Sequence, residues 1–228
     1  MLAGRLIFAA VLGAAVAAGG AAQAETFFEA LSKALGGGQG ATLQKPRAVV
    51  PRQANLFPGG ALYPEDVPRN RVVPAQFRRQ TVRYHTDERP GTIIIDAQAH
   101  FLYLVLENDM AVRYGVGVGR AGFGWSGVVQ VADKQEWPAW RPPAEMIARE
   151  ARRGHRLPTY VPGGEGNPLG ARALYLHNAG GDTGYRIHGT SEPWTIGLNV
   201  SSGCIRLVND DVIDLYRRAG IGTKVIVL

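Results

Sequence analysis

The feature that most restricts how this chain can fold is a series of short β-rich runs that begins at Thr92. TIIIDAQ, HFLYLVLE and MAVRYGVGVG follow one another across short polar turns, Glu107-Asn108-Asp109 among them, and VVQVAD, ALYLHNA, GYRIHG and the terminal TKVIVL come later. Runs so rich in Val, Ile, Tyr and Phe, bounded by Gly, Asn and Asp, read as strands joined by tight connections. They predict a mainly β, mostly antiparallel, β-sandwich-like domain over residues 91–228, long enough for one sizeable core. Two helical segments interrupt it. PPAEMIARE, 142–150, has proline where a first helical turn tolerates it. NDDVIDLYRRAG, 209–220, places acids in its first turn, arginines in its last, Gly220 as its stop and Asn209 as its N-cap. The passage 136–170 is long for a strand connection and suggests a lid or binding loop, with Trp137, Trp140 and Tyr160 placed to cover a substrate.

The segments before the domain have a different character. Residues 1–24 read as a secretory signal: Arg5 in a short positive region, an apolar core from Leu6 to Ala18, and Ala22-Gln23-Ala24 as a small-x-small cleavage site. The apolar run falls short of the roughly 20 residues that span a bilayer, so no stable membrane span is expected after cleavage, and the mature chain is expected in the periplasm. Residues 25–36 form one short amphipathic helix on Phe27, Phe28, Leu31, Ala34 and Leu35. Residues 37–90 read as a basic, proline-rich linker: from 45 to 90 the chain holds seven of its fourteen prolines, with nine basic against four acidic groups. Residues 91–228 are nearly balanced, with fourteen basic and thirteen acidic groups, so the excess charge sits in the linker. Without interleaved aromatics or a nucleic-acid module, such charge suits an anionic envelope surface or polymer, and no nucleic acid is expected as a partner. Within the linker, 76–84 reads as a short strand attached to the domain edge.

Chemistry concentrates in RIHGTSEPWTIGLNVSSGCIRLVN, from Arg186 to Asn209. It holds the only cysteine, in a chain expected to be exported, where cysteines usually occur as disulfide pairs. Cys204 is the candidate nucleophile and His188 the candidate base, and a nearby base or positive charge is expected to depress the thiol pKa. Ser202, Gly203 and Cys204 form a tight turn whose backbone N–H groups are placed to face a developing oxyanion. Arg206, two residues on, projects to the same face of a strand as Cys204, to bind a substrate carboxylate or to pair with Asp210 or Asp211. No carboxylate stands out to orient the imidazole, and the Gly189 carbonyl is the candidate for that role.

Two other patterns carry less. Gly117-Val-Gly-Arg-Ala-Gly122 matches a dinucleotide-binding glycine pattern but runs into more β sequence instead of a helix, so it reads as a bend. The five histidines show no metal-ligand spacing, so no metal site is expected.

The His188-Gly189 pair, the spacer and Ser201-Ser202-Gly203-Cys204-Ile205-Arg206 together resemble the L,D-transpeptidase (YkuD-domain) family over residues 90–228. Asn167-Pro-Leu-Gly-Ala-Arg172 and IHGTSEPWTIG resemble the longer form found in exported Gram-negative enzymes. The resemblance implies a cofactor-independent transferase acting on peptidoglycan stem peptides. Cys204 attacks the diaminopimelate carbonyl and expels D-alanine, and an amine resolves the acyl-enzyme into a 3→3 cross-link. Water as acceptor would make an L,D-carboxypeptidase, an amine of an envelope protein an anchoring enzyme, and an idle site a wall-binding module. The family's frequent histidine two positions before the cysteine is Ser202 here, a departure.

Overall fold

The computed structural model describes Pro64 and residues 67–228; the expected signal, the helix at 25–36 and most of the linker lie outside the described residues. The elements are β1 (Gln80–Arg83), β2 (Ile93–Asp96), β3 (Phe101–Val105), β4 (Met110–Gly115), β5 (Val118–Gly119), β6 (Gly127–Glu136), helix α1 (Ala144–Arg152), β7 (Arg172–Asn178), β8 (Gly181–His188), β9 (Asn199–Ser201), β10 (Ile205–Arg206), helix α2 (Asn209–Arg218) and β11 (Lys224–Val227). Nine strands form one sheet in the order β1-β4-β3-β2-β11-β6-β7-β8-β10, and β5 pairs with β9 beside it. Pairing within the large sheet is antiparallel except where β11 meets β2 and where β10 meets β8. The mainly β, mostly antiparallel architecture expected from the strand runs is the one observed.

Alternation along the strands decides where the core lies, because successive side chains face opposite sides of a sheet. Ile93, Ile95, Leu102 and Leu104 from one half of the sheet meet Val131, Leu174, Leu176, Ile187 and Ile205 from the other, and Val212 and Leu215 of α2 close the cluster. The two halves therefore fold over a shared interior. Burying each such aliphatic side chain contributes roughly 1.5–3 kcal/mol, so this cluster anchors the strands that carry the candidate site.

The segment 67–90 is not a free linker. β1 pairs with β4, as the strand pattern at 76–84 suggests, and Phe77 and Tyr84 are buried against Ile94, Phe101 and Tyr103 on the outer face of the sheet. Tyr84 stacks on Tyr103 with ring centroids 4.3 Å apart. Val67 is buried with Leu198 and Val200, and Arg71 Nη1 donates to the carbonyls of Trp194 at 2.5 Å and Ile196 at 2.9 Å. Isolated anchors spaced this far apart leave no periodicity in the sequence, yet each finds a pocket once the sheet exists.

Candidate active site

The short strand β10 places the cysteine. It runs parallel to β8, with Ile205 opposite Ile187 and Arg206 opposite His188. Ile187 and Ile205 point into the core, so His188, Arg206, Cys204 and Arg186 share the opposite face. The pairing thereby brings the turn that carries Cys204, two residues before Arg206, next to the strand that ends in His188.

His188 is 4% exposed, and its Nδ1–H donates to the Gly189 carbonyl at 2.6 Å. A carbonyl only accepts, so this bond assigns the proton to Nδ1 and leaves Nε2 with a lone pair. The Gly189 carbonyl is thus the group that meets Nδ1. Burial pushes the imidazole pKa down to about 3, and the Arg206 charge adds to that shift; the Gly189 and Leu169 carbonyls oppose it without prevailing. The ring is neutral at ordinary pH.

The glycine following His188 answers to a clamp. Asn209 Oδ1 accepts N–H groups from Ala171 at 3.0 Å and from Thr190 at 3.2 Å, and a Cβ on either Gly170 or Gly189 would collide with that oxygen. Asn209 was expected to cap the helix. Instead Val208 occupies the cap position, no side chain caps it, and the Asn209 amide ties the start of β7 to the loop after His188. The reason is competition: an amide oxygen that reaches two loop N–H groups at once is unavailable to its own helix. The only hint in the sequence is an asparagine three residues after Arg206 at a helix start, which is the ordinary signature of a cap.

Cys204 is partly exposed and sits on a tight turn. Ser201 Oγ donates to the Cys204 carbonyl at 2.6 Å and accepts the Gly203 N–H at 3.1 Å. Gly203 has φ +107, and an added Cβ would strike the Tyr185 ring. Trp125 stacks on that ring at 4.5 Å and donates its indole N–H to the Gly203 carbonyl at 3.1 Å. The turn is held from outside by an aromatic pair and from inside by a serine. The Gly203 N–H, one of the expected oxyanion donors, is engaged within the turn.

The thiol differs from expectation. Burial pushes the Cys204 pKa up; a hydrogen bond from the Arg186 backbone and the charges of Arg186 and Arg206 pull it down but do not overcome the desolvation. The resting pair is therefore a thiol and a neutral imidazole, not a thiolate with an imidazolium. Proximity of positive charge is legible in a sequence; the low-dielectric surroundings that outweigh it are not.

Four arginines surround the turn. Arg186 binds Asp182 through both terminal nitrogens, at 2.7 and 2.8 Å, and lies over the Tyr175 ring. Arg206 pairs with Glu192 at 3.1 Å, not with Asp210 or Asp211. The loop through Pro193 folds Glu192 back toward β10, whereas Asp211 faces Arg79 at 3.7 Å. Ser202 Oγ, at the position of the departure, accepts Arg149 Nη2 at 2.9 Å and Arg120 Nη2 at 3.4 Å. Sequence reading missed Arg120 and Arg149. The long connection reaches the site through Arg149 of α1, while Trp137 and Tyr160 stay substantially exposed and Trp140 pairs by its backbone with Val161. Asn167, almost fully buried, pins that connection by donating to the Val161 and Pro162 carbonyls at 3.1 and 2.9 Å. The glycine pattern at 117–122 is the expected bend: β5 ends at Gly119, the next element is β6, and no helix opens between them.

Residues 90–227 match the family model of the L,D-transpeptidase catalytic domain. The chain belongs to the L,D-transpeptidase (YkuD) family. Among its relatives, the probable L,D-transpeptidase ErfK/SrfK of Escherichia coli is 37% identical over 141 residues, which is 60% of this chain and 43% of that protein. The probable L,D-transpeptidase YcfS of the same organism is 38% identical over 140 residues, with the same shares. The chain thus spans less than half the length of these curated relatives. A solved structure described as a probable carnitine operon oxidoreductase from Brucella melitensis is 47% identical, covering 71% of this chain and all of that one, with a TM-score of 0.46. That description concerns the Brucella protein. An L,D-transpeptidase from Mycobacterium smegmatis is 20% identical over 60% of this chain and 58% of its own, with a TM-score of 0.45.

Proposed function

We propose that this L,D-transpeptidase-family domain acts on peptidoglycan stem peptides as a cysteine acyltransferase, after export to the periplasm, with residues 67–90 bracing the catalytic domain at 91–228. The observation that supports the reading is the parallel pairing that sets Arg206, two residues after Cys204, against His188, whose Nδ1–H is bound to the Gly189 carbonyl and leaves Nε2 with a lone pair.

In this reading Cys204 Sγ attacks the carbonyl carbon of the diaminopimelate residue. The thiol proton passes to His188 Nε2 as the carbon–sulfur bond forms, and negative charge collects on the carbonyl oxygen. Because the resting thiol is raised and the imidazole lowered, a free ion pair is costly, so proton transfer accompanies attack rather than preceding it. The Gly203 N–H is occupied by Ser201, so the oxyanion falls to the N–H groups of Ser202 and Cys204. Collapse breaks the amide bond, the departing D-alanine amine takes the proton from His188, and a thioester remains. An incoming amine then gives its proton to His188, attacks the thioester and restores the thiol. Neither a metal nor an organic cofactor has a part in these steps.

The test is mass spectrometry of the mature protein incubated with purified disaccharide-tetrapeptide, beside Cys204→Ala. Dimers lacking one D-alanine, formed by the wild type alone, are expected. Tripeptide alone would show water as the acceptor, and binding without product from either protein would leave a wall-binding module.

A further inference from the structure

We infer that Arg71, together with Val67, is a positioning residue for the Cys204 turn: the segment 67–77 seats the two stretches of chain that hold that turn from either side. That the positioned thiol is the nucleophile of acyl transfer rests on the transpeptidase reading. The anchors of this part of the chain go to two places. Phe77 and Tyr84 pack on the outer face of the large sheet. Val67 and Arg71, upstream of them, reach residues 194–200, which lie outside the nine-stranded sheet.

Two ties lead from there to the cysteine. The first is polar. Arg71 Nη1 donates to the Trp194 carbonyl at 2.5 Å and the Ile196 carbonyl at 2.9 Å, across 123 and 125 residues of sequence. Between those carbonyls stands Thr195, fully buried, whose Oγ1 donates to the Glu192 carbonyl at 2.7 Å, and the Glu192 carboxylate holds Arg206 at 3.1 Å. The second tie is apolar. Val67 is buried with Leu198 and Val200, and Val200 adjoins Ser201, the residue that donates to the Cys204 carbonyl and accepts the Gly203 N–H. One tie thus reaches the chain after Cys204, through Arg206, and the other the chain before it, through Ser201.

Residues 192–198 run as irregular backbone around a single 3₁₀ turn, and irregular backbone keeps its shape where its polar groups find partners. A guanidinium nitrogen supplies two donors in a fixed plane, so Arg71 sets the direction of both carbonyls at once. Gly197 shows how closely the segment is fitted: its φ is +81, and an added Cβ would collide with the Phe77 ring. Loosening this loop moves Glu192, and Arg206 with it, without unfolding the domain. A displacement on the order of 1 Å at a nucleophile is enough to cost up to about a hundredfold in rate.

The test uses the mature chain with Arg71→Met, Arg71→Lys and, as a control at an exposed position of the same segment, Arg78→Met, all assayed well below their unfolding midpoints. In Arg71→Met, kcat on disaccharide-tetrapeptide is expected to fall on the order of tenfold with KM nearly unchanged. The rate of Cys204 alkylation by iodoacetamide is expected to rise in the same variant, because a loosened turn admits the reagent while it no longer aims the sulfur. Arg71→Lys, which keeps a donor, should recover part of both, and Arg78→Met should match the wild type. A lower melting temperature with wild-type kcat and alkylation in Arg71→Met would make the segment a brace alone and overturn the inference, as would a raised KM at unchanged kcat. An equal change in Arg78→Met overturns it too. Should Arg71→Met not fold, Val67→Ala is expected to move both readouts in the same directions by a smaller factor, and wild-type values there sink the idea. An alkylation rate that responds to Arg71 in a protein with no turnover keeps the positioning role and removes the transpeptidase reading alone.

Discussion

The two sides of the Cys204 turn hold positive charge in different ways. On the strand side, Arg186 and Arg206 are clamped by Asp182 and Glu192, and their role is to hold β8 and β10 in place and bias the field at His188 and Cys204. On the loop side, Arg120 and Arg149 converge on a serine hydroxyl, and Arg149 also pairs with Glu150 at 3.2 Å. A paired arginine is part of the scaffold, because releasing it to a ligand leaves a partly buried acid behind. The same residue type, a few residues from Cys204, is thus held by an acid of a neighbouring segment on one side and packed on Phe123 and a serine hydroxyl on the other.

The largest effects belong to the axis that both sides flank. Cys204→Ala should abolish turnover, and His188→Gln should lower kcat by about 10²–10⁴; steady-state rates on tetrapeptide measure both, and a His188 variant with near-normal kcat would remove it as the base. Next comes the clamp. Asn209→Ala leaves two loop N–H groups without an acceptor, at roughly 1–3 kcal/mol each, so urea unfolding should show a clear loss of stability together with a fall in kcat. Asn209→Asp, which keeps an acceptor, should recover most of both.

The comparison itself breaks or holds on a pair of variants. Glu192→Gln should cost stability by unpairing Arg206, whereas Arg149→Gln should cost less, because Glu150 keeps its pair with Arg153. If both variants behave alike in thermal unfolding, the two sides do not differ as described.

The smallest effects are in pH. The midpoint of Cys204 alkylation by iodoacetamide should lie above that of a free cysteine, because burial raises the thiol; a midpoint below it would restore the thiolate expected from the charge pattern. Stability should also respond to His188. The unfolded chain protonates this histidine near 6.5 while the folded chain resists to about 3, so the unfolded state binds more protons in between and stability falls as pH drops through that window. Asp211 works the other way: its folded pKa is raised to about 6 from 3.8, so the folded state takes the proton first and gains stability as pH falls between those values. Urea midpoints at pH 7 and pH 5 should therefore drop less in His188→Gln than in wild type, and more in Asp211→Asn.

Much of this was legible in the chain. Alternating β-branched runs imply a half-buried sheet whatever the topology, because a strand with one apolar face has to cover it. The His188-Gly189 and Ser202-Gly203-Cys204 elements were legible for a local reason, since a cysteine on a small-residue turn and a histidine at a strand end each need only their neighbours to be recognised. Tertiary structure decided what depends on partners distant in sequence. Asn209 became a clamp because β7 and the loop after His188 come within reach of one amide oxygen, and Arg206 chose Glu192 because the chain folds back through Pro193. Arg149 entered the site because the long connection lays α1 beside Ser202. The thiol's pKa belongs to the same class: charge is written in the sequence, but the exclusion of water that outweighs it exists only once the chain has folded around the sulfur.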